Sequence, residues 1–215
     1  MKFLITSKFL MILISPFLAF LIVLNFAAFD MNFYQKKFSE YQVHKEVGNA
    51  DSLHKDVTDF LNGKNGELPL EFNEMEKKHL WDVRKVVGIS TILLYILITL
   101  FVLLLISSAF ILKVNSQIIN FVSKVLIFGG FLTVVLSLIL VLYISYNFSA
   151  AFESFHRLFF KQGTYTFDPA KEMLTRLYPE QLFMDLGIRI SKWVVIGSVG
   201  IILLGMLLSS KSKNK

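Results

Sequence analysis

Four long apolar stretches alternate with polar ones along this chain. They run over Phe9–Phe29, Val86–Leu112, Val125–Tyr146 and about Ile190–Leu208. Each meets or nearly meets the ~20 apolar residues that a helix needs to cross a ~30 Å hydrocarbon layer. The second is longer than required, so it is expected to tilt or to extend beyond the bilayer. Pro16 and Asn25 interrupt the first, which is tolerable where neighbouring helices satisfy the freed backbone and the amide. The apolar run there exceeds the 7–15 residues of a cleaved signal, and it reads as a retained helix. The expected fold class is an all-α membrane protein, a single membrane domain with four transmembrane helices. Between the spans lie two long outer loops, 30–85 and 147–189, expected to form a small, mostly helical cap.

Within the loops the period shifts to that of surface helices. Asp51 is placed to cap an amphipathic helix with Leu53, Val57, Phe60 and Leu61 inward, ended by Gly63. After a turn over Gly63–Pro69, the stretch EFNEMEKKHLWDVRK (Glu71 to Lys85) runs directly into the second span. At ~100° per residue, Phe72, Met75, Val83 and Val86 share one face, which is expected to look into the bundle, His79 lies within it, and Glu74, Lys77, Lys78, Trp81, Arg84 and Lys85 oppose it. Past the third span, Phe148, Phe152, Phe155 and Phe159 form a helical stripe, and the span is expected to continue outward as one helix delivering His156. Lys161–Pro169 reads as a turn, Asp168 as the cap of a helix over Pro169–Leu177, and Tyr178–Phe183 as the start of the helix feeding the fourth span.

Charge fixes the expected orientation. Of 16 Asp and Glu, eleven lie in 30–85 and five in 147–189, whereas the N-terminus, the loop 113–124 and the tail (Lys211, Lys213, Lys215) carry only positive charge. The positive-inside rule puts those three in the cytoplasm and both long loops outside. The net charge of +6 is then a topology signal and gives no support for nucleic-acid binding. With 54% hydrophobic residues and a mean hydropathy of +0.60, the chain is too apolar for an ordinary soluble domain. The absence of cysteine excludes thiol catalysis, disulfides and thiolate metal sites. Gly129-Gly130 and the pair Gly197/Gly200 read as close helix packing.

All four histidines fall in the outer loops. His44 and His54 have no partner at useful spacing and are expected to face solvent. His79 is flanked by Glu76 and Asp82 at i−3 and i+3, and Glu153 stands three residues before His156. At 1.5 Å per residue His79 lies ~10 Å before Val86, at headgroup depth, and His156 is expected at the same depth. Interfacial histidines are commonly snorkelling or hydrogen-bonded surface groups, so filler and a functional pair both remain open from spacing alone. A carboxylate-oriented imidazole can serve as general base and general acid. A metal site is disfavoured because no H-E-x-x-H signature is present, and a serine lipase because no G-x-S-x-G elbow is.

Four stretches carry a resemblance: FNEMEKKHLWDV (Phe72 to Val83), FHRLFF (Phe155 to Phe160), YTFDP (Tyr165 to Pro169) and LYPEQLF (Leu177 to Phe183). Together with the four-span plan they resemble the bacterial lipoprotein intramolecular transacylases over essentially the whole chain. Leu80 stands where that family often has Met, Tyr165 where it often has Trp, and Met75 where relatives are frequently basic. The resemblance implies a multi-pass protein of the cytoplasmic membrane of Gram-positive-type bacteria, N-in and C-in, with its active site on the outer face. Its substrate would be a diacylated lipoprotein, whose acyl chain moves from the glyceryl ester to the α-amine of the same cysteine. His79 and His156 would be catalytic, with Glu76, Asp82, Glu153, Arg157 and Asp168 orienting them. Phe72, Phe152, Phe155, Phe159 and Tyr165 would contact the substrate. No cofactor or metal is implied, the partners are the lipoprotein and membrane lipids, and the protein is expected to act as a monomer. The competing readings are a non-enzymatic lipoprotein chaperone or scaffold and a metal-dependent interfacial lipid hydrolase.

Overall fold

The computed structural model describes residues 1–64, 66–161 and 163–213. Asn65 in the expected Gly63–Pro69 turn, Gln162 in the Lys161–Pro169 turn and Lys215 in the cationic tail lie outside the described residues. The regular elements among the described residues are all helices: α1 (Lys2–Ala27), α2 (Met31–Glu40), α3 (Val43–Glu46), α4 (Ala50–Leu61), α5 (Glu74–Leu112), α6 (Asn115–Tyr146), α7 (Phe148–Phe159), α8 (Met173–Leu177) and α9 (Glu180–Lys213). Four of these, α1, α5, α6 and α9, are long and apolar enough to cross a membrane. α5, α6 and α9 each contain one of the four apolar stretches whole, and α1 holds the first as far as Ala27, two residues short of its expected end at Phe29.

The chain divides into two compact units. The first gathers residues 1–25, 91–142 and 188 onward, and is a bundle of the apolar helices. Met11, Phe121 and Val125 form its buried cluster, with Leu4, Phe101 and Leu105 against it. Several polar groups inside it are satisfied by neighbours, as low dielectric demands. The Asn25 amide donates to Leu21 O at 2.8 Å and accepts from the Thr91 hydroxyl at 3.2 Å, while Ser7 and Ser108 share a 2.8 Å bond. Gly129 and Gly130 do lie at close helix approaches, since a Cβ on them would meet Ser15 and Ile202 at 2.5 and 2.7 Å. Gly197 and Gly200 do not: nothing lies within 4 Å of a Cβ at either, and the close approach on α9 is at Gly205. The small-residue spacing placed the contact on the wrong turn of the helix.

The second unit, residues 26–90 and 143–187, combines both polar loops. Its core is Phe33, Tyr34, Phe38, Val43, Leu53, Val57 and Phe60 from the first loop with Leu174, Leu177, Leu182 and Leu186 from the second. Asp30 caps α2 by accepting from the Asn32 amide, and the Lys37 ammonium pairs with Asp185. Three local expectations change here. Asp51 does not cap α4; Asn49 precedes that helix, and Asp51 sits in its first turn, where negative charge favours the helix N-terminus. Pro169–Leu177 is not one helix, because only Met173–Leu177 is helical. Asp168 instead closes a turn, its carboxylate accepting from Ala170 N–H while Glu172 reaches back to Asp168 N–H. His54 does not face solvent. It is 3% exposed, and its Nδ1 lies 2.8 Å from the Tyr178 hydroxyl, under the Tyr34 ring. Burial pushes its pKa down to about 4.

The third span also fails to continue unbroken. α6 ends at Tyr146, Asn147 is non-helical, and its side chain accepts from Ala150 N–H to begin α7 afresh. An N-cap asparagine competes for backbone donors more effectively than it propagates a helix. α7 is strongly amphipathic, yet none of its residues is buried.

Candidate active site

Seven rings from three segments of the second unit converge: His79 on α5, Phe152, Phe155 and His156 on α7, and Phe160, Tyr165 and Phe167 after it. α5 opens at Glu74, and Asn73 accepts the amides of Met75 and Glu76 at 2.9 and 3.0 Å. Glu76 returns a bond to Asn73 N–H, the reciprocal arrangement of a capping box. Because the helix begins after Phe72, the buried face runs through Glu76, His79 and Leu80, and Met75 is 53% exposed. The expected inward position of Met75 is therefore wrong. A wheel anchored on Phe72 set the face one residue early.

His79 is 6% exposed, and its Nδ1 is buried without a hydrogen-bond partner. The His156 ring, from the last turn of α7, lies nearly parallel to it, with centroids 6.0 Å apart and planes 20° from one another. Phe160 and Phe167 pack on His79 at 4.8 and 5.5 Å. Phe152 and Tyr165 pack on His156 at 4.2 and 5.1 Å, with Phe155 edge-on at 5.6 Å. Spacing alone could not reveal Phe160 and Phe167, because both belong to irregular chain after α7.

The two imidazoles are held differently. His156 Nδ1 is 2.8 Å from the Phe152 carbonyl, and a carbonyl only accepts, so Nδ1 carries hydrogen. In the neutral ring the lone pair then sits on Nε2. No such anchor holds His79 Nδ1.

The carboxylates expected to orient these rings are engaged elsewhere. Both Glu76 oxygens accept backbone amides, from Asn73 at 2.7 Å and Leu174 at 2.6 Å. Asp82 pairs with Lys85 at 2.9 Å. Glu153 accepts from the Tyr165 hydroxyl at 3.3 Å and pairs with Arg157 at 3.5 Å, tying α7 to a ring that touches His156. Asp168 holds Ala170 N–H and Lys171. Phe159 packs against Phe155 at 4.8 Å with the rings tilted, and is half exposed. Phe72 is 1% exposed and belongs to the core, so it offers no face to a substrate. Among the described residues, no three His, Asp or Glu side chains converge as metal ligands would.

Two imidazoles face to face in an aromatic setting, one with a directed lone pair, suit proton transfer to and from a bound substrate. The family model for the lipoprotein intramolecular transacylase Lit matches residues 9–183. The chain belongs to the Lit family. A solved structure of the membrane-integral Lit from Bacillus cereus superposes with a TM-score of 0.81, at 20% identity over 97% of this chain and 98% of that one. Two variants of the same Bacillus cereus protein, each with one histidine replaced, by arginine or by alanine, give TM-scores of 0.79 and 0.80 at 19% identity. The arginine variant covers 97% of this chain and 92% of that one, the alanine variant 98% and 95%. No curated protein sequence matches. As a Lit-family member with four apolar helices, the chain is a multi-pass membrane protein of a transacylase family.

Proposed function

We propose that this chain moves an acyl chain within one diacylated lipoprotein, from the glyceryl ester to the α-amine of the same N-terminal cysteine, and that His79 and His156 catalyse the transfer. The observation that carries this reading is the pair of near-parallel rings 6.0 Å apart. His156 acts as the base. Its Nε2 takes a proton from the amine as nitrogen attacks the ester carbonyl, and returns it to the glyceryl oxygen as the C–O bond breaks. His79, whose Nδ1 is the buried nitrogen, directs Nε2–H at the carbonyl oxygen and stabilises the charge that develops there. The products are an N-acyl amide and a free glyceryl hydroxyl. An ester becomes an amide, which is downhill, so no cofactor is needed.

A free α-amine has an ordinary pKa of ~7.7–8.0 and needs only a positioned base. Donor and acceptor belong to one molecule, so positioning alone contributes several kcal/mol. Phe152, Phe155, Phe159 and Tyr165 supply the apolar surface for the lipid chains. Glu153 and Arg157 hold Tyr165, and Asp82 and Asp168 act at longer range. α5 carries His79 ~10 Å before Val86, which suits a substrate anchored at the headgroup layer on the outer face of the cytoplasmic membrane. The termini are inside on this reading.

The test uses purified protein in nanodiscs with a synthetic diacylated lipopeptide, read by mass spectrometry. The wild type should give the N-acyl, lyso-glyceryl product, and His79→Ala and His156→Ala should each lower the rate by about 10²-fold or more. Full activity in both variants would overturn the assignment. Released fatty acid would favour a hydrolase, and unchanged lipopeptide a scaffold.

A further inference from the structure

Glu76 is a carboxylate in a place that ordinarily excludes one. It is 1% exposed, and both its oxygens are occupied by backbone amides rather than by a cation or a histidine. Oε2 accepts Asn73 N–H at the start of α5. Oε1 accepts Leu174 N–H, 98 residues away, in the first turn of α8. First-turn amides have no partner within their own helix, so one side chain caps two helices. The segment between α7 and α8 carries Phe160, Tyr165 and Phe167, the rings that lie against the two histidines. His156 stands at the near end of that segment and Leu174 at its far end. Glu76 holds that far end from one turn before His79.

We propose, on the transacylase reading above, that Glu76 is a positioning residue. By holding the Leu174 amide it fixes the Phe160–Phe167 rings against His79, and so fixes the spacing of the two imidazoles. The role requires two acceptors. Glutamine keeps the shape but offers one carbonyl oxygen, and its NH2 would meet a second N–H donor. A residue that merely filled space would tolerate that exchange.

The experiment compares wild type, Glu76→Gln, Leu174→Pro and the double variant in nanodiscs. Leu174→Pro removes the amide and keeps Glu76, at a first-turn position whose N–H has no partner within its own helix; Leu174→Ala, which loses the same buried side chain but keeps the N–H, should remain faster than Leu174→Pro. The proline variant attacks the same bond from the other side, so one variant decides if the other fails to fold. Exposed Glu74→Gln is the control. Glu76→Gln and Leu174→Pro should each lower kcat at least tenfold, with KM for the lipopeptide within twofold of wild type, and Glu74→Gln should match wild type. The double variant should be no slower than the slower single, because both act through one bond. Hydrogen exchange over 163–174 should quicken at least tenfold in each, with 50–61 unchanged. Wild-type kcat in Glu76→Gln, multiplying losses in the double variant or unchanged exchange would overturn the proposal. A wild type that transfers no acyl chain would instead overturn the transacylase reading, and exchange alone would then decide whether Glu76 holds the segment.

Discussion

An imidazole becomes a directed base when one nitrogen is tied down and the other left open, and His156 is held in that way by the Phe152 carbonyl. The bond runs to the carbonyl four residues back, which a helix presents along its whole length, so the tautomer follows from placing His156 in α7. His54 shows the opposite use of the same side chain. It is buried, its Nε2 has no partner among the described residues, and its pKa is held down to about 4. The unfolded chain therefore binds a proton near pH 6.5 that the folded chain refuses until about pH 4. Stability from this group is fully present above pH 6.5, falls as pH drops through that window, and the loss amounts to about 3 kcal/mol at its acid end. Thermal unfolding in detergent should show the slope. His79 is pushed down to about 4 by burial as well and adds to the same slope. His54→Gln, which keeps a partner for Tyr178 and cannot titrate, should reduce the slope without abolishing it, and an equal slope in the variant would contradict this account.

At the scale of elements, what governs the site is where helices begin. Asn73 starts α5 so that His79 and Glu76 turn inward, and Asn147 ends the continuity of the third apolar run and starts α7. Asn147→Ala should cost about 1 kcal/mol of stability. Exchange of the first α7 amides should quicken while α4 stays unchanged, which mass spectrometry resolves. The helices themselves were legible because apolar runs and the 3.6-residue period survive any packing. Their starts were not, because a cap depends on which side-chain oxygen meets which amide. Met75 was expected inward for its hydrophobicity, whereas Glu76 is the buried neighbour because two amides await it. Histidines at 79 and 156 could be paired from the sequence by their expected depth. Phe160 and Phe167 could not, since no periodicity governs the chain that carries them.

Across the whole molecule, a bundle of apolar helices and a unit built from both polar loops divide the labour. In the bundle, glycine spacing alone did not reveal which turns touch. A Cβ at Gly205 would stand 2.9 Å from Ile127 and 3.0 Å from the Ser123 carbonyl, which is backbone and cannot rotate away. Gly205→Ala should destabilise the bundle by about 1–3 kcal/mol. Gly197→Ala meets open space and should be neutral or stabilising by up to about 1 kcal/mol. Thermal unfolding of the two variants side by side checks the contrast, and equal effects would contradict it. The loop unit, in turn, brings together two histidines 77 positions apart in a chain with no cysteine. Joining both loops in one unit is what makes a two-histidine site available at all.

The central claim is that an acyl chain migrates from oxygen to nitrogen within one lipoprotein at the His79–His156 pair. A crossover measurement tests it most directly. Two diacylated lipopeptides, distinct in peptide mass and with only one bearing deuterated acyl chains, are mixed with wild-type protein and with His156→Ala, and the products are weighed. The account predicts N-acylated products in which each peptide keeps its own acyl label, formed by wild type and nearly absent with His156→Ala. Exchanged labels, free fatty acid without N-acylation, or equal product from the variant would contradict it.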